Sequence, residues 1–398
     1  MKNVILFPDK IFGDDSGARS ARFTAKLLRE IGYKVFVFTN EKGIDFLKYS
    51  DDFEIVSFSS EVNFLTHLFN FELYNISKSL MKKYKFSYFI ALGGIQKPAF
   101  LSRLFRNSGV KTIYLFYIND YFCAKSYAGL ESGPCLKCLN GSTLNSLKYN
   151  CIESFDIVNY IKRIISIKLN AKEVLNASYV LSYSQNQSNL LTKFGILDSK
   201  IKEVPIQFDI EEIKGRKSTD GDYFLIFGQP IVEKGFHLLR EIINKADGGI
   251  KFKIVFKNSE TLNASLSNYG LMDLFQLGRF SVETNLNSRA QILDVVASSR
   301  GILLTTIYPS TGEFALMESM LLKKPVVAFD VGAHSNIIKD GFNGFLHDLT
   351  DLDGFVNSIE LLNKNEILRE RLGKNAFNTI QDLLDLNEQV ESFKRILL

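Results

Sequence analysis

Tyr308-Pro309-Ser310-Thr311-Gly312-Glu313-Phe314-Ala315-Leu316-Met317-Glu318-Ser319-Met320 is the stretch that decides how this chain of 398 residues is read. It follows Gly301–Thr306, a short apolar run that reads as a buried strand. Its Pro, Ser, Thr and Gly then break the strand before an apolar segment, Phe314–Leu322, that reads as a helix. Strand, tight loop and helix start make an anion cradle, because the first-turn amides lack partners and the helix dipole favours negative charge there. Val326–Asp330 reads as the next strand, so the unit is strand–helix–strand and the sheet is parallel.

The same alternation extends in both directions. Upstream in the same half lie strand Tyr223–Phe227, a helix from Phe236, strand Phe252–Phe256 and helix Ser288–Ala297. In the first half, Val4–Phe7, Val35–Thr39, Ile55–Phe58, Tyr88–Leu92, Thr112–Tyr117 and Tyr179–Tyr183 read as strands, and Ala18–Ile31 as a helix closed by Gly32. The polar stretch Glu211–Asp222 reads as a linker. The expected organisation is α/β: an N-terminal Rossmann-like domain, 1–204, with a cysteine-rich insertion at 121–152, a C-terminal Rossmann-like domain, 205–378, and a C-terminal helix, 379–398, crossing back to the first domain. Two such domains facing each other across a cleft place a ligand at the carboxyl ends of their strands.

Charge is unevenly spread. The net +4 divides into 27 basic against 18 acidic residues up to position 204, and 21 against 26 beyond it. An overall balance this close to neutral argues against nucleic acid. Leu73–Asn119 carries Lys78, Lys82, Lys83, Lys85, Lys97, Arg103, Arg106 and Lys111 with no Asp or Glu, and Ile161–Lys172 adds four cations. With Phe100, Leu104 and Phe105 as the apolar component, this reads as a face for an anionic membrane, weighed against a merely solvated lysine-rich surface. No run approaches the length of a membrane span. The expected location is cytoplasmic, peripheral on the inner face of the plasma membrane.

There is no Walker lysine loop, no G-x-G-x-x-G, no G-x-S-x-G and no H-E-x-x-H, so hydride transfer, nucleotide hydrolysis and triad hydrolysis lose their usual signals. Asp220-Gly-Asp222 has the form of a metal-holding D-x-D string, but it lies in the polar stretch. Gly228-Gln229-Pro230-Ile231-Val232-Glu233-Lys234-Gly235 ends a strand in a glycine turn and sets Lys234 just before a helix, where it can hold a pyrophosphate. The histidines, His67, His237, His334 and His347, are scattered singly. His237 reads as a packing position, and His334 as a surface residue as readily as a donor contact.

Taken in order, Gly228…Glu233-Lys234-Gly235, Pro309-Ser310…Glu318-Ser319-Met320, Lys324-Pro325-Val326-Val327-Ala328-Phe329-Asp330-Val331-Gly332 and Asp340-Gly341-Phe342-Asn343-Gly344-Phe345 resemble the C-terminal domain of glycosyltransferase family 4 (group 1), retaining nucleotide-sugar enzymes of GT-B fold. Ser16-Gly17-Ala18-Arg19 resembles the family's first glycine loop. The resemblance implies a retaining, metal-independent hexosyltransferase acting from a UDP- or GDP-linked sugar onto a glycan or polyprenyl-diphosphate-linked acceptor of surface polysaccharide. It implies Lys234, Glu313 and Glu318 as the catalytic set. Donor contacts would come from Gly17, Arg19, Gly228, Gln229, Ser310, Thr311, Gly312 and Phe314, with Glu318 on the ribose hydroxyls and Arg279 as an extra cation. Asn119 and Asp120 would face the acceptor.

Four positions depart from the family pattern. Gln229 replaces an arginine, Ser310 stands eight residues before Glu318 where a glutamate is usual, Asn119 replaces a histidine, and Asn336 replaces a glutamate. Two further readings therefore stand: a binding or partner subunit on the same fold that has lost catalysis, and a UDP-sugar 2-epimerase, disfavoured by the lack of cleft histidines. No cofactor is expected for catalysis. Cys123, Cys135, Cys138 and Cys151, spaced C-x11-C-x2-C-x12-C in an irregular excursion, fit a structural tetrathiolate zinc knuckle; free thiols and disulfides are the alternatives.

Overall fold

A computed structural model describes residues 2–42, 53–60, 68–94, 99–151, 157–211, 213–256, 259–286 and 288–398. His67, Lys97 and the end of the 121–152 insertion at Ile152 lie outside these residues. The chain forms two compact units. One comprises Met1–Ala128, Leu136–Asp209 and Leu384–Leu398; the other comprises Gly129–Cys135 and Ile210–Leu383. The chain passes into the second unit briefly at Gly129–Cys135 and then at length from Ile210, against an expected boundary after 204, and returns at Leu384, against 379.

In the first unit β1 (Lys2–Phe7), β2 (Tyr33–Thr39), β3 (Glu54–Ser57), β4 (Phe86–Leu92) and β5 (Lys111–Leu115) join β8 (Tyr179–Ser182) and β9 (Ile201–Glu203). The order is β3-β2-β1-β4-β5-β8-β9, and every pairing is parallel. Strand β1 shows why its sequence is almost continuously apolar. Ile5 and Phe7 enter one core and Val4 and Leu6 the other, so both faces of the sheet are covered. The helix Ser16–Glu30 is capped by Asp15, whose carboxylate accepts from the Ala18 amide at 3.0 Å. Phe100 and Phe105 are buried, so they belong to the core and not to an exposed apolar face as the sequence suggested.

The insertion is split between the units. The antiparallel pair β6 (Gly129–Leu130) and β7 (Gly133–Pro134) belongs to the second unit. Cys123 and Cys138 are buried in the first unit's core as small apolar side chains. Among the described residues no three His, Cys, Asp or Glu side chains gather to hold a metal ion. Cys135 and Cys151 are half-buried and lie outside that core, so the four thiols differ in their surroundings.

In the second unit β10 (Tyr223–Phe227), β11 (Lys251–Val255), β12 (Phe280–Glu283), β13 (Gly301–Leu304), β14 (Val326–Phe329) and β15 (Phe345–His347) form a parallel sheet of order β12-β11-β10-β13-β14-β15. The direction of winding reverses between β10 and β13, the topological switch point. The stretch read as a linker is tied down instead: Arg369 pairs with Asp220, Lys251 with Asp222 at 2.6 Å, and Arg216 with Asp294 at 2.6 Å. Both carboxylates of the D-x-D string are thus structural. No helix among the described residues is long and apolar enough to cross a membrane.

Candidate functional site

At the switch point the loops after β10 and β13 are stitched together. The Ile307 amide donates to the Glu233 carbonyl at 3.0 Å and the Thr305 hydroxyl to the Lys234 carbonyl at 2.7 Å. Gly235 is required here: its φ is +73°, and a Cβ would lie 1.9 Å from the Thr305 carbonyl oxygen. Lys234 closes a 3₁₀ turn, Val232–Lys234, and the α-helix begins only at Leu239. The amides of Lys234, Gly235 and Phe236 are taken by Ile231 and Val232 carbonyls, so they form no anion cradle. What this loop presents is the side chain of Lys234.

Lys234 is ion-paired with Glu313, the residue just before the helix Phe314–Leu321. Its ammonium also lies 5.1 Å from the Tyr308 ring centroid. The Glu313 side chain does not cap its own helix. It accepts from the Thr306 hydroxyl at 2.8 Å and meets His334 Nε2 at 2.7 Å, while His334 Nδ1 lies 2.8 Å from the Phe329 carbonyl oxygen. A carbonyl only accepts, so Nδ1 carries a proton, and Nε2 is the nitrogen that faces the carboxylate. Burial by itself would raise the Glu313 carboxyl, but the Lys234 charge and the His334 contact outweigh it and hold it well below the usual carboxylate range. Burial likewise opposes the Lys234 charge, and the Glu313 carboxylate overrides it, holding the ammonium above its ordinary value.

The loop between Tyr308 and Glu313 is fixed by close backbone contact. The Ser310 amide donates to the Tyr308 carbonyl at 2.7 Å, and the Ser310 carbonyl accepts from Ala333 at 2.9 Å. Gly332, at φ +56°, lies so near that a Cβ would come within 2.3 Å of Ser310 backbone atoms. The Ser310 amide is therefore not available to a phosphate. The amides of Gly312 and Ala315 have no backbone partner among the described residues, and the buried Ser310 Oγ has no hydrogen bond. Thr311 is buried beside it and Phe314 half-buried. An unanswered hydroxyl in a buried loop costs free energy that a polar ligand recovers.

Other candidates are placed differently from the expectation. Glu318 is buried and ion-paired with Arg289, the first residue of the helix Arg289–Ala297. Arg279 donates to the Ile243 and Ala246 carbonyls at 2.7 and 3.1 Å, capping the end of the helix Leu239–Lys245. Gly228 and Gln229 are exposed. Gly129 abuts this site: a Cβ there would stand 3.0 Å from Tyr308 Cβ and 3.2 Å from Glu233 Cγ. Neither Arg289 nor the His334–Glu313 contact was anticipated. His334 is fully buried, not a surface residue. The only sequence signal was a capping box, Ser288 with Gln291, that starts the Arg289 helix.

The first unit carries its own candidates at the carboxyl ends of its strands. Gly17, in the first turn of its helix, lets the Tyr117 ring approach to 3.6 Å from where a Cβ would be. The Arg19 guanidinium lies 5.9 Å from the Phe208 ring centroid. Asn119 is fully buried; its amide donates to Ser126 at 2.8 Å and its carbonyl accepts from Cys123 at 3.1 Å. Asp120 is buried against the Gly94 backbone, where a Cβ would fall 2.2 Å from its carboxylate.

The description "Glycosyl transferases group 1" matches residues 207–379, which hold the whole Lys234–Glu313–His334 cluster. Residues 207–379 are thus similar to the group 1 glycosyltransferases. The chain's fold is that of GT-B glycosyltransferases: the structure of Anabaena HepE in complex with UDP superposes with TM-score 0.69 at 16% identity, covering 100% of this chain and 99% of that one. By sequence the chain is similar to an uncharacterized glycosyltransferase of Methanocaldococcus jannaschii, 30% identical over 40% of this chain and 43% of that protein. It is also similar to the poly(ribitol-phosphate) alpha-N-acetylglucosaminyltransferase of Staphylococcus aureus, 26% identical over 61% of this chain and 49% of that protein. The matched stretches thus span less than half the length of these two curated relatives.

Proposed function

We propose that the protein transfers a sugar from a nucleotide sugar, with UDP as leaving group, to a hydroxyl of a surface polysaccharide or its lipid-linked precursor, with retention of anomeric configuration and without a catalytic metal. The observation that carries this reading is the Lys234–Glu313–His334 cluster at the switch point of the group 1 domain. Lys234 neutralises charge on the departing diphosphate, and the Gly312 and Ala315 amides with the Ser310 hydroxyl add donors. A lysine already paired in a partly buried site offers an organised cation, and no divalent ion is needed for that task. The UDP-bound structure similar to this chain supports the choice of nucleotide, and the poly(ribitol-phosphate) enzyme supports a polymeric acceptor.

Contact with an anionic membrane belongs to the same proposal. Ile157, Val158, Ile161 and Ile165 are exposed along the helix Ile157–Leu175, interleaved with Lys162, Arg163, Lys168 and Lys172. The helix's Glu173 is buried and neutralised by Arg103 and Arg106. Replacing Ile161 and Ile165 with Glu should abolish sedimentation with phosphatidylglycerol vesicles; unchanged sedimentation refutes this contact.

The transferase reading is tested with the full chain, labelled UDP- and GDP-sugars and a membrane lipid extract or surface polymer. Transfer is expected from a UDP-sugar with retained configuration, and Lys234→Ala should lower kcat/KM about 10²–10³-fold, the scale of one lost electrostatic donor. UDP binding without transfer from any donor would make the protein a binding subunit instead.

A further inference from the structure

Away from the Lys234 cluster, the second unit holds a cavity of about 550 Å³, within the ~300–1,000 Å³ typical of small-molecule sites. Its wall is apolar: Ile213, Leu321 and Leu322 are buried, and Phe377 is partly so. Its rim is basic, with Lys214, Arg216, Lys217 and Lys323, and none of the described residues lining it is acidic. Lys214 and Arg216 are engaged by Glu211 and Asp294 at 3.1 and 2.6 Å. Lys217 and Lys323 have no ion pair among the described residues.

Lys323 is the unusual one. It lies just past the end of the helix Phe314–Leu321 and its C-cap Leu322, with φ +56°. Glycine fills such a position without strain, whereas a side chain with a Cβ does not. The strained backbone sets the Lys323 ammonium 5.0 Å from the centroid of the Phe377 ring, on the aromatic wall of the cavity. A strained residue kept where glycine would serve points to a task for its side chain. A cation fixed on an apolar wall, beside a second cation, fits a ligand with one anionic end and one hydrocarbon end.

We propose that this cavity binds a single-chain anionic amphiphile, its phosphate or carboxylate on Lys217 and Lys323 and its alkyl chain along Ile213, Leu321, Leu322 and Phe377. The apolar wall discriminates against a free anion, and the basic rim against a neutral lipid. The longer segment of this unit runs from Ile210 to Leu383. Ile210 and Gln381 both line the cavity, so an occupant touches the chain near both ends of that segment.

Calorimetric titration of the full chain with decyl phosphate, decanoate, decanol and inorganic phosphate, all below micellar concentrations, tests the assignment. Decyl phosphate and decanoate should saturate one site, with decanol and inorganic phosphate at least tenfold weaker. A tenfold preference between the first two identifies phosphate or carboxylate as the natural head. Lys217→Glu, at an exposed position, should weaken decyl phosphate at least tenfold. Lys323→Gly should weaken it at least fivefold without lowering the melting temperature, because glycine relieves the strained φ. Absence of decyl phosphate binding, decanol binding as tightly, or unchanged affinity in both variants would overturn the proposal. So would loss of binding in Lys234→Ala, which would put the anion in the donor site.

Discussion

Lys234 and Glu313 lie on different loops, after β10 and after β13, and form an ion pair in which the carboxylate is 6% and the lysine side chain 22% exposed. His334, from the segment after β14, meets the second carboxylate oxygen at 2.7 Å. One acidic group therefore holds together three segments of the sheet's carboxyl edge. Its removal leaves Lys234 without its counter-charge and His334 Nε2 without its partner in a largely dry site, so Glu313→Ala should cost about 3–5 kcal/mol in urea unfolding. Glu313→Gln keeps a hydrogen-bonding side chain and should cost less, yet bind UDP severalfold more tightly in calorimetry, because the lysine is no longer neutralised. Equal UDP affinity in Glu313→Gln would show that the pair does not compete with the nucleotide.

Gly129 acts on the same site from the hairpin. With a Cβ already 3.0 Å from Tyr308 Cβ and 3.2 Å from Glu233 Cγ, the branched side chain of Gly129→Val must displace both neighbours of Lys234. UDP affinity should fall at least fivefold, with a smaller loss in Gly129→Ala. An unchanged dissociation constant in the valine variant would separate the hairpin from nucleotide binding.

Lys324 offers a pH test of the fold. Burial pushes its ammonium down to about 8, although it donates to the Thr219 and Ser299 carbonyls at 2.6 and 2.7 Å. The unfolded chain, with an ordinary lysine, binds the proton more strongly. The burial penalty is therefore present in full below pH 8 and is relieved as pH rises through the interval from about 8 to 10.5. Relative to Lys324→Met, the wild-type protein should gain stability across that interval, by up to about 3 kcal/mol. A difference independent of pH would show that the amine is not desolvated.

Metal removal should have no effect on folding. With Cys123 and Cys138 packed in the first core and no three ligand side chains gathered among the described residues, dialysis against a chelator should leave the melting temperature unchanged and elemental analysis should find no stoichiometric zinc. A fall in melting temperature on chelation, reversed by zinc, would contradict this.

The strands with strong apolar runs were legible in the sequence because parallel sheets bury both faces. The edge strands Ile201–Glu203, Phe280–Glu283 and Phe345–His347 were not, since three or four residues of mixed polarity carry no period. Lys234 and Glu313 could be nominated from the loop residues around them. Their pairing could not, because it depends on which strands are neighbours, and the two positions are 79 residues apart. His334 was the plainest miss: a single histidine in a glycine turn looks exposed until Gly332 is seen pressed against Ser310. The cysteine spacing carries no information on burial. Spacing suggests metal when thiols have nothing else to do, and here the fold gives two of them a core to fill.

The last helix, Leu386–Leu397, completes the first unit: Tyr33 and Tyr88 donate to the Leu397 carbonyl at 2.9 and 3.1 Å, and Phe393 enters the core beside Val4 and Leu6. During synthesis, therefore, the strands made first cannot acquire their full set of neighbours until Leu386–Leu397 has been made and has left the ribosome. The second unit, made later, already has its hairpin Gly129–Cys135 waiting and can close first. Emergence from the ribosome and completion of the cores run in opposite order, and the long-exposed first sheet is where a folding chain would most need a chaperone.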